Sequence, residues 1–371
     1  MLNLYGQSRS QLEALFVEHG LQEFRGRQLL KWIYHLEQHD FASMTDLPKT
    51  MREWLAANAC FDLPQIVRQR VSKDGTAKWA LDVGDGNLIE TVLIPEKGRN
   101  TLCVSSQVGC MLDCSFCSTG KQGFNGNLPT ATIVGQLVIA NRYLAQFDQK
   151  VTNIVLMGMG EPLLNFSQVL PAVSLMMDDL AFGLSKRRVT VSTAGVVPGI
   201  YDLAEQSACA LAISLHAPTD DLRDQLVPVN RKYPIAQLME ACQHYVDHLG
   251  KSRSLVIEYT LIKGINDSRK QARQLAELLR PLRCKINLIP FNPFPGSGYE
   301  KPSAKTIYDF QTCLMQAGYT TMLRTTRGED IDAACGQLVG QVADRTRRQQ
   351  RYHAKLEAAG LERVQVLDVA H

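Results

Sequence analysis

The sequence predicts an α/β protein: an incomplete, TIM-like (β/α)6 barrel with a small N-terminal helical domain and a β extension. Three observations carry this reading. Apolar, β-branched runs recur at 101–106, 151–157, 188–192, 210–215, 255–261 and 285–290. Helical periods fill the gaps between them, the pattern of a parallel sheet covered by helices. Glycine-rich or polar stretches follow the runs, where such folds place reactive residues.

Residues 1–60 read as a helical accessory domain. Ser8 or Ser10 caps a first helix, which Gly20 ends. The stretch from Arg25 carries Leu29, Ile33 and Leu36 at helical spacing, and Leu47-Pro48-Lys49 opens a third helix with Trp54. Arg25, Arg27, Lys31, Lys49 and Arg52 lie between the apolar positions, which suits either a nucleic-acid-facing surface or a wet outer face. Residues 61–98 form the β extension, with strands at 66–71, 76–83 and 88–95 and a turn at Lys73-Asp74-Gly75. Glu90 sits in the last of these, and a lone strand carboxylate usually faces solvent.

Residues 99–330 are the barrel core. Ile133, Leu137 and Leu144 share one helical face; Ile235, Leu238, Cys242, Tyr245 and Leu249 share another. Leu275 and Leu279 follow the capping candidate Asp267, and Ile307, Phe310 and Leu314 follow Ser303. A last β-like run spans 320–325, and 331–371 is a C-terminal segment with a basic helix.

Composition bounds the function. The 371 residues are too many for one minimal domain and few for three. At 45% hydrophobic and 21% charged, the chain is an ordinary globular protein. Ten cysteines are far below the density of a disulfide scaffold, and Cys209, Cys242, Cys284 and Cys313 lie in apolar, core-like segments. The sequence has no secretory h-region and no apolar run near the ~20 residues of a membrane span. A reducing, cytoplasmic setting without membrane contact is expected. Net charge is +3, concentrated in Lys186-Arg187-Arg188, Arg68 with Arg70, and Arg345, Arg347, Arg348 and Arg351. Such clusters fit phosphate contacts and equally fit solvated faces.

The chemistry begins at Cys110-Met-Leu-Asp-Cys114-Ser-Phe-Cys117, directly after the first barrel strand. Thiolates are soft ligands for iron–sulfur clusters, zinc or copper(I). A cubane normally takes four cysteines, so three leave one iron open to a small molecule. Structural zinc wants a fourth ligand, and no second C-x2-C or H-x3-5-H pair follows. The C-x3-C-x2-C spacing resembles the radical S-adenosylmethionine (SAM) signature, in which the open iron chelates SAM. Four other strand ends offer polar groups: Gly158-Met-Gly160-Glu161-Pro162, Ser192-Thr-Ala-Gly, Ser214-Leu215-His216, and Asn292 within 290–296. Cys103 lies in the first barrel strand. Cys335, beside glycine in a polar loop, is a candidate nucleophile. Spacing alone does not pair the two.

Over nearly its whole length the chain resembles the RlmN family of radical SAM adenine-C2 methyltransferases. The resemblance rests on Phe24-Arg-Gly-Arg-Gln-Leu-Leu-Lys-Trp-Ile-Tyr, Cys103-Val-Ser-Ser-Gln-Val-Gly-Cys110, Gly158-Met-Gly-Glu-Pro, Ser185-Lys-Arg-Arg-Val-Thr, Ser214-Leu-His-Ala-Pro, Asn292-Pro-Phe-Pro-Gly and Asp330-Ile-Asp-Ala-Ala-Cys-Gly-Gln-Leu, in the family's order. Ala194 and Gly120 depart from the residues usual at their positions and touch no proposed ligand side chain. The resemblance implies that Cys110, Cys114 and Cys117 hold a [4Fe–4S] cluster. It implies a SAM site of Gly160, Glu161, Ser192, Ser214, Leu215, His216 and Asn292. Cys335 would be a methyl carrier, Cys103 its resolving partner through a transient disulfide, and Glu90 the acid–base residue. Two SAM molecules serve each turnover, one as methyl donor and one as radical source. The implied substrates are an adenosine of 23S rRNA at the peptidyl-transferase centre and the adenosine next to the anticodon in tRNAs. A low-potential electron donor such as flavodoxin and a monomeric state are expected. Methylation at C8, as in the related Cfr-type enzymes, and radical chemistry on a non-RNA substrate are the alternatives.

Overall fold

The computed structural model describes residues 1–250 and 253–358. Ten strands form one continuous sheet: β1 (Gln65–Val71), β2 (Ala77–Asp82), β3 (Leu88–Glu96), β4 (Arg99–Cys103), β5 (Asn153–Leu156), β6 (Val189–Thr193), β7 (Ala210–Ser214), β8 (Leu255–Leu261), β9 (Cys284–Pro290) and β10 (Thr321–Leu323). They lie side by side in chain order. From β4 to β10 each neighbour is parallel; β1 to β4 are antiparallel. The six expected barrel strands are present, and the β-like run at 320–325 adds a short seventh parallel strand. The extension is thus part of the barrel sheet. Its last strand, β3, is hydrogen-bonded to β4, with Val92 opposite Cys103.

The main helices are α1 (Arg9–Glu18), α2 (Phe24–Tyr34), α3 (Lys49–Asn58), α4 (Thr130–Ala145), α5 (Phe166–Met177), α6 (Val197–Gln206), α7 (Ile235–Leu249), α8 (Arg269–Leu278), α9 (Ala304–Gln316) and α10 (Arg348–Ala358). Ser8, not Ser10, caps α1, in a reciprocal box with Gln11. Ser303 caps α9. Two sequence expectations, the cap of α8 and the reach of α2, are corrected. α8 is capped by Ser268 with Gln271 rather than by Asp267, whose carboxylate accepts from Gly264 N–H in the preceding turn. Leu36 lies beyond the end of α2 and is 52% exposed, because the chain turns away before the next apolar step. Lys186, Arg187 and Arg188 stand exposed where β6 begins, at the end of the barrel opposite the strand ends that carry the polar motifs. Helices α5 and α6 had no clear sequence signal: Pro171 lies inside α5, and Pro198 opens α6.

One hydrophobic core runs from Leu4 and Leu12 of the helical module through the barrel to Phe310. Arg9 on α1 pairs with Asp178 and Asp179 after α5, tying the module to the barrel wall. Among the described residues no helix is long and apolar enough to cross a membrane.

Helices α1 and α2 touch at Gly26, where an added Cβ would lie 2.5 Å from the Glu13 nitrogen and 2.7 Å from the Leu12 carbonyl carbon. Both neighbours are backbone and cannot rotate aside. Gly26→Ala is expected to destabilise the protein by about 1–3 kcal/mol, the usual cost of overpacking. A thermal melt at the wild-type midpoint would contradict this close approach.

Candidate active site

The cysteine loop leaves β4 and turns back over the barrel mouth. Cys117 N–H donates to the Cys114 carbonyl at 3.2 Å, and Ser115 N–H to the Leu226 carbonyl at 3.0 Å. Cys110, Cys114 and Cys117 all line one cavity at the C-terminal ends of the strands. Arg348 fixes the loop from behind. Its guanidinium donates to the carbonyls of Cys110 (3.0 Å), Met111 (3.0 Å), Leu112 (3.2 Å) and Gly120 (3.0 Å). Burial pushes the Cys114 thiol up to about 12 and the Cys110 thiol well above its ordinary range. Coordination to a metal ionises a thiol outright and would offset that burial. Among the described residues, no three His, Cys, Asp or Glu side chains converge as one metal ion requires. Three thiols lining one cavity suit a cluster that gives each cysteine its own iron.

The next strand ends complete the wall. Gly160 has φ 101°, and a Cβ there would lie 2.5 Å from Gln107 Cβ, so only glycine fits. Glu161 is buried and ties the end of β6 to the turn that follows β5: Oε2 accepts from Ala194 N–H at 2.7 Å, and Oε1 accepts from Leu163 N–H at 3.1 Å as the cap of a 3-10 turn. Burial raises its carboxyl to about 7 against those bonds. Ser192 and Ser214 line the same cavity. His216, at φ 59°, accepts from Thr260 N–H through Nδ1 at 2.9 Å, which leaves its proton on Nε2. Burial, helped by nearby Arg223, drives its pKa down to about 3. The imidazole is therefore a neutral donor. Asn292 donates to the Cys335 carbonyl at 3.2 Å. Leu215 does not reach the cavity: its side chain is in the core, and its backbone links Glu258 and Arg223.

A second cavity opens on the other side of Cys335. The first holds about 920 Å³ of protein-free space and the second about 1540 Å³, counting their open mouths. Cys335 is exposed and lines both; Cys103 lines the second. Desolvation raises both thiols, that of Cys103 to about 12 with the neighbouring Cys335 as the second cause. Met157, Glu258, Ile289 and Asn292 form the shared wall, and Arg99, Arg324 and Arg327 line the second cavity alone. The loop carrying Cys335 is stitched to the cysteine loop. Ser118 N–H donates to the Gly336 carbonyl at 2.8 Å and Thr119 Oγ1 to the Leu338 carbonyl at 2.8 Å.

Glu90 lines neither cavity. It faces inward, contrary to the expectation of a solvent-facing carboxylate. It is 3% exposed and pairs with Lys78 at 3.0 Å. Its pKa is raised by burial, opposed by Lys78 and by a hydrogen bond from Val339 N–H.

Sequence reasoning missed four residues. Glu258 was legible as a carboxylate inside the apolar strand Leu255–Leu261, with Asn287 Nδ2 bonded to its Oε1 at 2.8 Å. Lys78 was legible as a cation inside buried β2. Arg348 was read as part of a basic cluster, yet it turns inward while Arg345, Arg347 and Arg351 stay exposed. Arg223 gave no signal in Asp-Asp-Leu-Arg-Asp, though it is fully buried and holds the carbonyls of Ala194, Ser214 and Leu215.

A three-cysteine loop over the mouth of an open parallel barrel defines a radical SAM protein, and residues 104–276 match the radical SAM superfamily model. Residues 2–61 match the model of the ribosomal RNA large subunit methyltransferase N-terminal domain. Curated relatives named dual-specificity RNA methyltransferase RlmN include one from Pseudomonas putida, 53% identical across 100% of this chain and 98% of its own length. Another, from Pseudomonas fluorescens, is 56% identical across 96% and 94%. A solved structure of a radical SAM methyltransferase from Sphaerobacter thermophilus is 43% identical, with a TM-score of 0.83 over 91% of this chain and 99% of that one. The chain belongs to the RlmN family. Membership implies a [4Fe–4S] cluster and SAM as cofactors.

The His216 environment makes a pH prediction. The native state excludes a proton that the unfolded chain takes up near pH 6.5. Its contribution to stability is therefore complete above about pH 6.5 and is lost as pH falls towards about 3. Imidazole resonances of His216 should stay constant from pH 8 to 5. A midpoint near 6.5 would show the ring to be solvated.

Proposed function

We propose that this chain is a SAM-dependent RNA methyltransferase that methylates C2 of adenosine, in 23S rRNA at the peptidyl-transferase centre and beside the anticodon of tRNAs. The observation that carries this reading is the place of Cys335, on the wall shared by the cysteine-lined cavity and the cavity holding Cys103. The arginines of the second cavity suit a phosphate backbone. The base itself must be splayed out of its stack to enter.

Cys110, Cys114 and Cys117 would hold the cluster, and the ends of β5, β6, β7 and β9 would hold SAM. Glu161 and Asn292 would orient the polar groups of SAM, and the neutral His216 would donate through Nε2. The bound cofactors supply one-electron chemistry able to open an inert C–H bond. Cys335 does the polar half. Its thiolate would take up the methyl group of bound SAM, forming a carbon–sulfur bond as the donor sulfur leaves with its electron pair. Cys335 thus holds the methyl carbon between the two cavities. That carbon would lose one hydrogen atom to the radical the bound cofactors supply and bond to C2; the C2 proton would then pass to a carboxylate, assigned to Glu90, and the remaining unpaired electron would return to the cofactors. Cys103 then attacks Sγ of Cys335. A disulfide forms, the Cys335–carbon bond breaks, and its electron pair takes up a proton as the methylated base departs.

The division of labour follows. Residues 1–60 and the outward arginines would hold RNA, 61–98 would carry Glu90, 99–330 would bind the cofactors, and 331–371 would carry Cys335. Residues 359–371 of that last segment lie outside the described residues. A monomer, reduced by a flavodoxin-like donor in the cytoplasm, completes the reading.

Cys335→Ala should abolish methylation. Cys103→Ser should stall with RNA joined to Cys335, visible as a gel shift that survives denaturant. Methylation by the Cys335 variant would refute the carrier role.

A further inference from the structure

Lys78 and Glu90 form a buried ion pair outside both cavities. Lys78 stands opposite Val92 and Glu90 opposite Ala80, so the two are diagonal neighbours on one face of the sheet. Their side chains are 9% and 4% exposed. A buried pair is retained only where further hydrogen bonds offset its desolvation. Each member makes one, and both go to the loop that carries Cys335. Lys78 Nζ donates to the Asp332 carbonyl at 3.1 Å, and Glu90 Oε2 accepts from Val339 N–H at 2.8 Å. Asp332 and Val339 flank Cys335 on either side.

The Asp332 backbone supports the same conclusion independently. It sits at φ 52°, a left-handed conformation that a residue with a Cβ adopts at a cost. Its carbonyl is the one that Lys78 holds. Beyond Val339, Gln341 and Leu88 exchange both backbone hydrogen bonds, and Ala343 N–H donates to Asn87 Oδ1 at 2.9 Å. The carrier loop is fastened to β3 and its preceding turn along its downstream arm. Upstream, the Lys78 contact reaches closest to Cys335.

We propose that Lys78 is a positioning residue: with Glu90 it clamps both flanks of the carrier loop, and the clamped loop keeps the Val339 N–H on Glu90 until it lifts. The proposal rests on the carrier role of Cys335 given above. While the loop is down, one oxygen of Glu90 faces the ammonium and the other accepts from Val339. Lifting the loop withdraws the Val339 N–H and the Asp332 carbonyl together and frees a carboxylate lone pair. Ala333, Ala334, Cys335 and Leu338 form part of the second cavity's wall, so an RNA base entering there presses on the clamped segment. The proton acceptor then becomes available after the base has arrived.

The test is hydrogen exchange by mass spectrometry on the full reduced chain, comparing wild type with Lys78→Met, Glu90→Gln and Lys78→Arg. Peptides covering 328–343 report the clamp, and peptides covering β8 report the global fold. Lys78→Met and Glu90→Gln should speed exchange in the loop by about tenfold or more, as loss of a charge-assisted hydrogen bond predicts. Lys78→Arg should stay close to wild type. If Lys78→Met also exposes β8, the other two variants decide. Loop exchange in Glu90→Gln within about twofold of wild type, too little for a lost charge-assisted bond, would overturn the clamp. So would fast loop exchange in Lys78→Arg. The measurement needs no cofactor and no methyl transfer. A released loop in a protein whose Cys335→Ala variant still methylates RNA would leave the clamp standing and refute the carrier reading.

Discussion

The C-terminal segment lies across the mouth of an open barrel, and the Arg348 guanidinium holds it against the cysteine loop. That contact anchors the seam by which the two cysteine-bearing loops are held together. Four carbonyls converge on one guanidinium, which presents five donors in a rigid fork. A lysine would offer a compact charge on a flexible stem and could not match them. The hydrogen bonds from Ser118 to Gly336 and from Thr119 to Leu338 continue the seam towards Cys335. While the loop is down, the Cys335 sulfur is thereby held at the boundary between two chambers.

The sheet supplies the other half of the geometry. Strand β4 is antiparallel to the extension and parallel to the barrel, so Cys103 at its end has Val92 on one side and Val155 on the other. The extension is therefore structural to the site, not a linker to it. It brings Glu90 and Lys78 behind the loop while Cys103 faces the second cavity. Two thiols that are far apart in sequence come to share one chamber because one closes the first barrel strand and the other hangs over the last.

The sequence made much of this legible, and the limits are physical. Strand–helix alternation and the cysteine spacing are local patterns, so barrel and cysteine loop could be read directly. The strand-end motifs were readable because parallel barrels put reactive groups there. What stayed hidden depends on long-range folding. Leu215 sits inside a polar motif, yet strand alternation turns its side chain into the core. Arg348 looks like any other member of a basic run until the loop beneath it is known. The partnership of Lys78 with Glu90 needs the register of β2 on β3, which sequence periodicity does not fix. Pairing Cys103 with Cys335 likewise came from family resemblance, and spacing alone did not provide it.

The central claim is that one methyl carbon passes through a cysteine rather than directly from donor to base. Its most direct test uses the anaerobic, cluster-reconstituted enzyme, protein-free rRNA and SAM bearing a CD3 methyl, with mass analysis of the modified nucleoside. Transfer through Cys335 predicts a CD2H group at adenine C2, because one deuterium is removed while the carbon is held on sulfur. An intact CD3 group would mean direct polar transfer and would contradict the account.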